Sequence, residues 1–278
     1  MDICGCGLTS VQVQLYKENG YLVVPDVFVP AECGAVLRVY ERYAKPDFRG
    51  IMNLERGFVE YQEQDADGNE KVERREVLAD DSLAVWSMIS DHRLVKILGI
   101  LQLAEVVHLQ SMVLFKRAGT SYALQAWNPH QDNAYPQADY GMYITGNIAL
   151  EDHTVENGGM YIYPGSHKEP ILPSVKVKSF HEKSGKSPGH CVEVPSRYQA
   201  VDLEFKKGSV LFLHGNVIHG SRSNESERSR AMLLVPYGTL GISKGKNFVP
   251  GRIAQRKEAC LACGHESWKK AVRCRRFT

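Results

Sequence analysis

The sequence predicts a mainly β domain, a barrel or sandwich with a helical layer along one side. Three observations carry this. Helix-like periodicity is confined to the stretch before Leu103, strand-like runs dominate after it, and Gly, Pro, Asn and Asp punctuate those runs at short intervals. The 278 residues leave room for one large domain or two small ones. No internal repeat or low-complexity linker divides them. A single domain is therefore expected, with a helical layer over about 9–103, a barrel over about 104–240 and a tail over 241–278.

The elements follow in order. Ser10 to Glu18 predicts a short helix with Ser10 as its cap and Asn19-Gly20 as its stop. Tyr21 to Pro25 reads as a short buried strand. Pro30 opens a second helix to about Tyr43, with Cys33, Val36, Leu37 and Tyr40 on one face. Residues 44–80 read as polar and irregular, with a turn at Asp65 to Asn69, and are expected to close over a site as a lid. A third helix is predicted from Ser82 to Leu101, broken near Asp91. The strand-like runs are Val106 to Lys116, Tyr143 to Leu150, Met160 to Tyr163, Ser209 to Leu213 and Ala231 to Tyr237.

Composition narrows the function classes. Hydrophobic residues at 43% allow a sizeable core, and a net charge of +2 gives no general reason to expect nucleic acid or a charged membrane surface. The basic run Lys269 to Arg276 reads as a solvated tail. No apolar run approaches the ~18 residues that span a bilayer, and no secretory signal is evident. Seven irregularly spaced cysteines fit reduced thiols, so a cytoplasmic location is expected. Cys260, Cys263, His265 and Cys274 have the ligand types of a zinc site but lack the usual second pair, so loose tail cysteines are the simpler reading.

The stretch Trp127 to Gln137, "WNPHQDNAYPQ", carries His130-Gln131-Asp132. A ferrous ion that activates oxygen needs few protein ligands and several open positions. Two imidazoles and one carboxylate on one face supply this. His130 and Asp132 lie two apart, so on an extended strand they share a side, and a third ligand must come from a distant strand. Lys206 to Tyr237 supplies His219, with His214 as a rival. Arg230 follows on the next strong strand. A 2-oxo acid that chelates the metal leaves a far carboxylate, and the planar guanidinium offers that carboxylate a two-pronged donor. Gln125, Trp127, Asn128, Asn133, Tyr135, Tyr140, Tyr161 and Tyr163 form an amide- and phenol-rich set around the motif and are the candidate contacts to a polar substrate. His167 reads as a turn-fixing loop residue, and His153, His181 and His190 as surface residues.

Together these segments resemble the phytanoyl-CoA dioxygenase family of iron(II)/2-oxoglutarate oxygenases, which includes ectoine hydroxylase. The resemblance runs through Tyr16 to Val23, Gln110-Ser111 to Phe115-Lys116, His130-Gln131-Asp132, Asn157-Gly158, Pro164 to Lys168, and Gly208 to Arg230. It implies a double-stranded β-helix, a jelly-roll barrel with the metal in its mouth. It implies that His130, Asp132 and His219 hold iron(II) and that Arg230 binds the distal carboxylate of 2-oxoglutarate, shared with Ser221. It sets Thr145, Gln110, Lys116 and Asn147 beside the cofactor. Asn147 departs from the pattern, because the phytanoyl-CoA enzymes carry a large aromatic there, and this argues against a long acyl-CoA substrate. So does a C-terminus that is not of the Ser-Lys-Leu type.

The implied activity is hydroxylation of a small polar metabolite by O2, with ascorbate helpful in vitro and succinate and CO2 released. The implied partner is a small molecule, with no nucleic acid and no membrane. Asp132 favours hydroxylation over halogenation, since related halogenases lack the carboxylate. Oxidation or desaturation of a secondary metabolite starts from the same hydrogen abstraction and stays open. Two other classes are compatible with such a barrel: a non-catalytic 2-oxoglutarate-binding protein, which loss of a ligand or of the arginine would favour, and a cupin-like isomerase or zinc hydrolase, which leaves Arg230 unexplained.

Overall fold

A computed structural model describes residues 7–45, 51–55, 57–64, 70–120, 122–176 and 190–242. The predicted Cys260/Cys263/His265/Cys274 group, the basic tail, the turn at 65–69 and His181 lie outside these residues, and of His190 only the backbone is described.

The N-terminal half begins with helix α1 (Ser10–Asn19). Its cap is Thr9, not Ser10: the Thr9 hydroxyl accepts from the Gln12 amide at 3.2 Å, and the Gln12 side chain accepts from the Thr9 amide at 2.8 Å. Gly20 ends the helix at φ +80°, and strand β1 (Tyr21–Val24) follows directly. Helix α2 (Pro30–Tyr43) starts on its proline and buries Cys33, Val36, Val39 and Tyr40. The predicted third helix is two, α3 (Ala79–Ile89) and α4 (His92–Gln102), divided where Asp91 caps the Arg93 amide at 2.8 Å.

Residues 44–80 differ from expectation. Their described part is a meander of three strands, β2 (Ile51–Glu55), β3 (Phe58–Gln64) and β4 (Glu70–Glu76). Met52, Leu54, Val59 and Tyr61 are buried, while Glu60, between Val59 and Tyr61, is paired in register with Arg74 at 2.8 Å. The meander looks polar because one face is built from cross-strand charges.

Most of the remaining strands build two facing antiparallel sheets. The large one runs β1, β13 (Val210–His214), β8 (Tyr143–Ala149), β15 (Arg230–Thr239), β6 (Met112–Lys116), β2, β3, β4, with β5 (Val106–His108) against the far end of β15. The predicted strand from Val106 to Lys116 is thus split in two. The small sheet runs β12 (Val201–Asp202), β9 (Met160–Ile162), β14 (His219–Ser221), β7 (Trp127–His130). A separate hairpin joins β10 (Ser174–Lys176) to β11 (His190–Val192). This two-sheet jelly roll is a double-stranded β-helix.

Alternation along the strands separates two cores. Ile144, Ile148, Val210, Phe212, Leu233, Val235 and Tyr237 point out of the barrel and pack under the helices with Leu94, Leu98 and Tyr40. Ala149, Leu211, Leu213 and Met232 point inward against Met160 and Ile162 of the small sheet. No helix among the described residues is long and apolar enough to cross a membrane.

Candidate metal and co-substrate site

The inward positions that are not apolar define the site. On β14, His219 and Ser221 share the face of Ile162 and Met160, to which they are paired in register. On β15, Arg230 shares the face of Met232. Lys116 is directly opposite Arg230 on β6, and Thr145 and Asn147 precede Ala149 on the inner side of β8. Six polar residues from four strands therefore enter one barrel.

His130, Asp132 and His219 come together at one place. His130 and His219 are register partners between β7 and β14, with ring centroids 4.4 Å apart. β7 stops at His130, and Asp132 opens a 3-10 turn (Asp132–Ala134), so the turn rather than strand alternation aims the carboxylate. Asp132 Oδ1 lies 3.4 Å from His130 Nε2 and 3.6 Å from His219 Nε2, and the three candidate ligand atoms lie within 4.8 Å of one another. One first-row ion with bonds of ~2.0–2.2 Å spans such separations.

The backbone fixes both imidazoles for this role. His130 Nδ1 sits 2.7 Å from the Asn128 carbonyl and His219 Nδ1 sits 3.1 Å from the Val217 carbonyl. Each Nδ1–H donates to its carbonyl, leaving an Nε2 lone pair facing Asp132. Burial pushes His219 down to about 4 despite the pull of Asp132. Burial also opposes a proton on His130, but the hydrogen bond and charge of Asp132 outweigh it and raise His130 above its ordinary value. Asp132 stays below the usual carboxylate range, because the two histidines outweigh its burial.

His214 does not compete. It lies on the outward face of β13 with Val210 and Phe212, near Tyr140 and His167, with centroids at 4.8 and 5.2 Å. Burial pushes it down to about 4, and its Nδ1 accepts the Asn216 amide at 3.1 Å.

The second half of the site is cationic. Arg230 is fully buried, and its Nε and Nη2 have no hydrogen-bond partner. Burial pulls it down to about 10, so it keeps its proton at neutral pH. Lys116 is also fully buried. Its Nζ donates to Ser221 Oγ at 2.9 Å and to the Arg222 carbonyl, and burial and Arg230 together pull it well below its ordinary value. Gly158, at φ +82°, packs so tightly that a Cβ there would come 2.9 Å from both Lys116 Cδ and the Arg222 carbonyl. Asn147 Nδ2 donates to Thr145 Oγ1 at 3.1 Å, and its Oδ1 is buried without a partner. Gln110 lies two residues before β6 and donates to Asn53 of β2 at 2.8 Å.

The proposed substrate residues divide. Gln125 and Asn128 are buried beside the metal motif, and Tyr135 follows it, near Tyr143, whose phenol is raised well above its ordinary value by burial first, then by Asp132 and Tyr135. Asn133 is taken up by scaffold bonds: its amide donates to Ala138 O and Asn216 Oδ1, each at 2.9 Å, and accepts from the Ala138 amide at 2.9 Å. Tyr161 pairs with Gly220, between His219 and Ser221, and so faces the opposite side of the small sheet from both. Its hydroxyl donates to the Trp127 carbonyl at 3.1 Å. With Tyr163, Ser221, Arg222 and Glu225 it lines a cavity of about 830 Å³. Tyr140 is exposed.

Three residues were missed as parts of the site. Tyr143, two before Thr145 on the same strand, was findable by alternation. Tyr122 is buried near Arg230 with an unpartnered hydroxyl, in a turn without periodic signal. His153, expected at the surface, is 1% exposed and touches Arg230.

A double-stranded β-helix with a His-x-Asp…His triad and a buried arginine inside is the arrangement of the iron- and 2-oxoglutarate-dependent oxygenases. The chain belongs to one family of them, the phytanoyl-CoA dioxygenase family, whose profile matches residues 16–232. A phytanoyl-CoA dioxygenase of Arabidopsis thaliana is 34% identical over 128 residues, covering 45% of this chain and 41% of that protein. The chain spans less than half the length of this and other plant and nematode relatives. An ectoine dioxygenase of Bordetella parapertussis (strain 12822) is 27% identical, covering 90% of this chain and 83% of that one. Among solved structures, the epimerase SnoN in complex with Fe3+, alpha ketoglutarate and nogalamycin RO shares the fold with a TM-score of 0.61, at 19% identity and 84% coverage of each chain.

Proposed function

We propose that this chain is an iron(II)- and 2-oxoglutarate-dependent dioxygenase that hydroxylates a small polar metabolite: an amino acid derivative, a compatible solute or an aminophosphonate. The observation that carries the reading is the pairing, inside one barrel, of a triad whose three ligand atoms converge within 4.8 Å and a buried guanidinium whose Nε and Nη2 are unpaired. The donor set fits both groups. Two imidazoles and a carboxylate suit a ferrous ion with open positions, and a buried arginine without a carboxylate partner suits the far end of a dicarboxylic 2-oxo acid.

His130, Asp132 and His219 would hold the iron, and Arg230 would hold the distal carboxylate. When bound, iron(II) with 2-oxoglutarate and O2 supplies the oxidising power, and the overall change turns R–H into R–OH while 2-oxoglutarate becomes succinate and CO2. The chain's residues supply position. Asp132 remains ionised, the Asn128 and Val217 carbonyls hold Nδ1–H of each imidazole so that Nε2 is the ligand atom, and Leu211, Leu213 and Met232 keep that space dry. Ser221 and Thr145 stand as hydroxyl neighbours on the inner faces of β14 and β8. Tyr143, Tyr135, Gln125 and Asn128 are candidate phenol and amide contacts for a polar substrate. The extended likeness to an ectoine dioxygenase and the small Asn147 support such a substrate over an acyl-CoA.

The test is succinate formation from 2-oxoglutarate with iron(II), ascorbate and O2 across a panel of small polar metabolites. One compound is expected to stimulate wild type and not Arg230→Ala, with a hydroxylated product. A desaturated or otherwise oxidised product would move the reading to that chemistry. Absence of 2-oxoglutarate binding would end it.

A further inference from the structure

His153 touches Arg230 but is neither a candidate metal ligand nor a candidate substrate contact. It follows β8, and its backbone is fixed by a reciprocal bridge to Phe205, with His153 N to Phe205 O at 2.8 Å and Phe205 N to His153 O at 3.0 Å. Its ring is stacked on Phe205, with centroids 4.5 Å apart and planes 11° apart. Nδ1 lies 3.3 Å from the Glu151 carbonyl, so the ring proton sits there and Nε2 carries the lone pair. Arg230 Nη1 lies 3.1 Å from that Nε2 and donates to it.

The consequence lies in which edge of the guanidinium is left. Nη1 is engaged, while Nε and Nη2 are buried and unpaired. Nε–H and the adjacent Nη2–H form the side edge that binds a carboxylate with two parallel hydrogen bonds. The acceptor chosen to hold Nη1 also matters. An aspartate or glutamate there would neutralise Arg230 and compete with an incoming carboxylate, whereas a neutral imidazole orients the cation and leaves its charge intact. The low proton affinity that burial and Arg230 impose on His153 agrees with this.

We propose that His153 is a positioning residue for the co-substrate: its Nε2 holds Nη1 of Arg230 so that the Nε/Nη2 edge faces the distal carboxylate of 2-oxoglutarate. The inference rests on the assignment of that carboxylate to Arg230.

The test is anaerobic calorimetric titration of the iron(II)-loaded protein, with no turnover, using two ligands. One is 2-oxoglutarate. The other is 2-oxobutyrate, which keeps the chelating end and lacks the distal carboxylate. His153→Phe keeps the stack and removes the acceptor; His153→Gln restores an acceptor at the same reach. Arg230→Ala is expected to weaken 2-oxoglutarate about 100-fold, His153→Phe about tenfold and His153→Gln about threefold or less, with 2-oxobutyrate unchanged throughout. Wild-type affinity for 2-oxoglutarate in His153→Phe, with Arg230→Ala impaired, would overturn the inference alone. Equal weakening of both ligands by His153→Phe would overturn it too, making the residue merely structural. No effect of Arg230→Ala would overturn the assignment beneath it.

Discussion

Along β8 and β15, alternate residues meet different demands. Outward, Ile144, Ile148, Leu233, Val235 and Tyr237 are apolar and packed under α2, α3 and α4. Inward, Thr145, Asn147 and Arg230 share their face with Ala149 and Met232. The outer face follows the rule that buried residues are apolar. The inner face breaks it with a charge whose donors are partly unpaired, at a cost of several kcal/mol that only a ligand or a function offsets. The two faces should therefore respond oppositely to substitution: the outer in stability, the inner in binding and turnover.

The largest effect sharpens that contrast. His219→Ala is expected to reduce iron(II)-dependent succinate formation to background while the metal-free protein keeps its far-ultraviolet circular dichroism. A folded variant with substantial turnover would break the comparison. Next, Ile148→Ala on the outer face should cost about 2–5 kcal/mol in urea unfolding, with turnover per folded molecule unchanged. A third substitution lies between the faces. Gln131, inside the metal motif, donates to Pro170 O at 3.0 Å and Asn216 O at 2.9 Å and accepts from the Leu172 amide at 2.7 Å. Gln131→Ala should cost about 1–3 kcal/mol in the same unfolding measurement, because it strands the buried Asn216 carbonyl and leaves two partly buried backbone groups without their partner.

The smallest effect is on pH. The folded, metal-free protein holds a proton on His130 above the ordinary histidine value, whereas His219 is neutral down to about 4. Iron(II) must displace the His130 proton, so its affinity should hold at alkaline pH and fall as pH drops through that raised value, by at most about tenfold per pH unit. Titrations of metal affinity from pH 8 to 5.5 check this, and flat affinity would place no proton on the ligand set.

The contrast also explains what could be read in the sequence. The candidate ligands His130, Asp132 and His219 and the candidate anchor Arg230 were readable as a set because a metal site needs particular residue types, and those types stand out in short motifs. The outer face was readable because apolar runs are periodic. The β2–β4 meander was not, since cross-strand charges such as Glu60 and Arg74 hide its alternation. The burial of His153 was not either, because its place depends on Phe205 and Arg230, 52 and 77 residues away. Asn133 and Tyr161 had suitable chemistry for substrate contact, but hydrogen bonds in one case and strand parity in the other turn them to scaffolding.

The most direct test of the central claim is the melting temperature of the protein under anaerobic conditions, with iron(II) and 2-oxoglutarate added singly and together. Wild type should gain most with both present, as mass action requires of ligands that bind only the folded state. His130→Ala should show no gain from the pair. A 2-oxoglutarate response that is the same with and without metal, or that survives in His130→Ala, would contradict a barrel in which metal and co-substrate share one site.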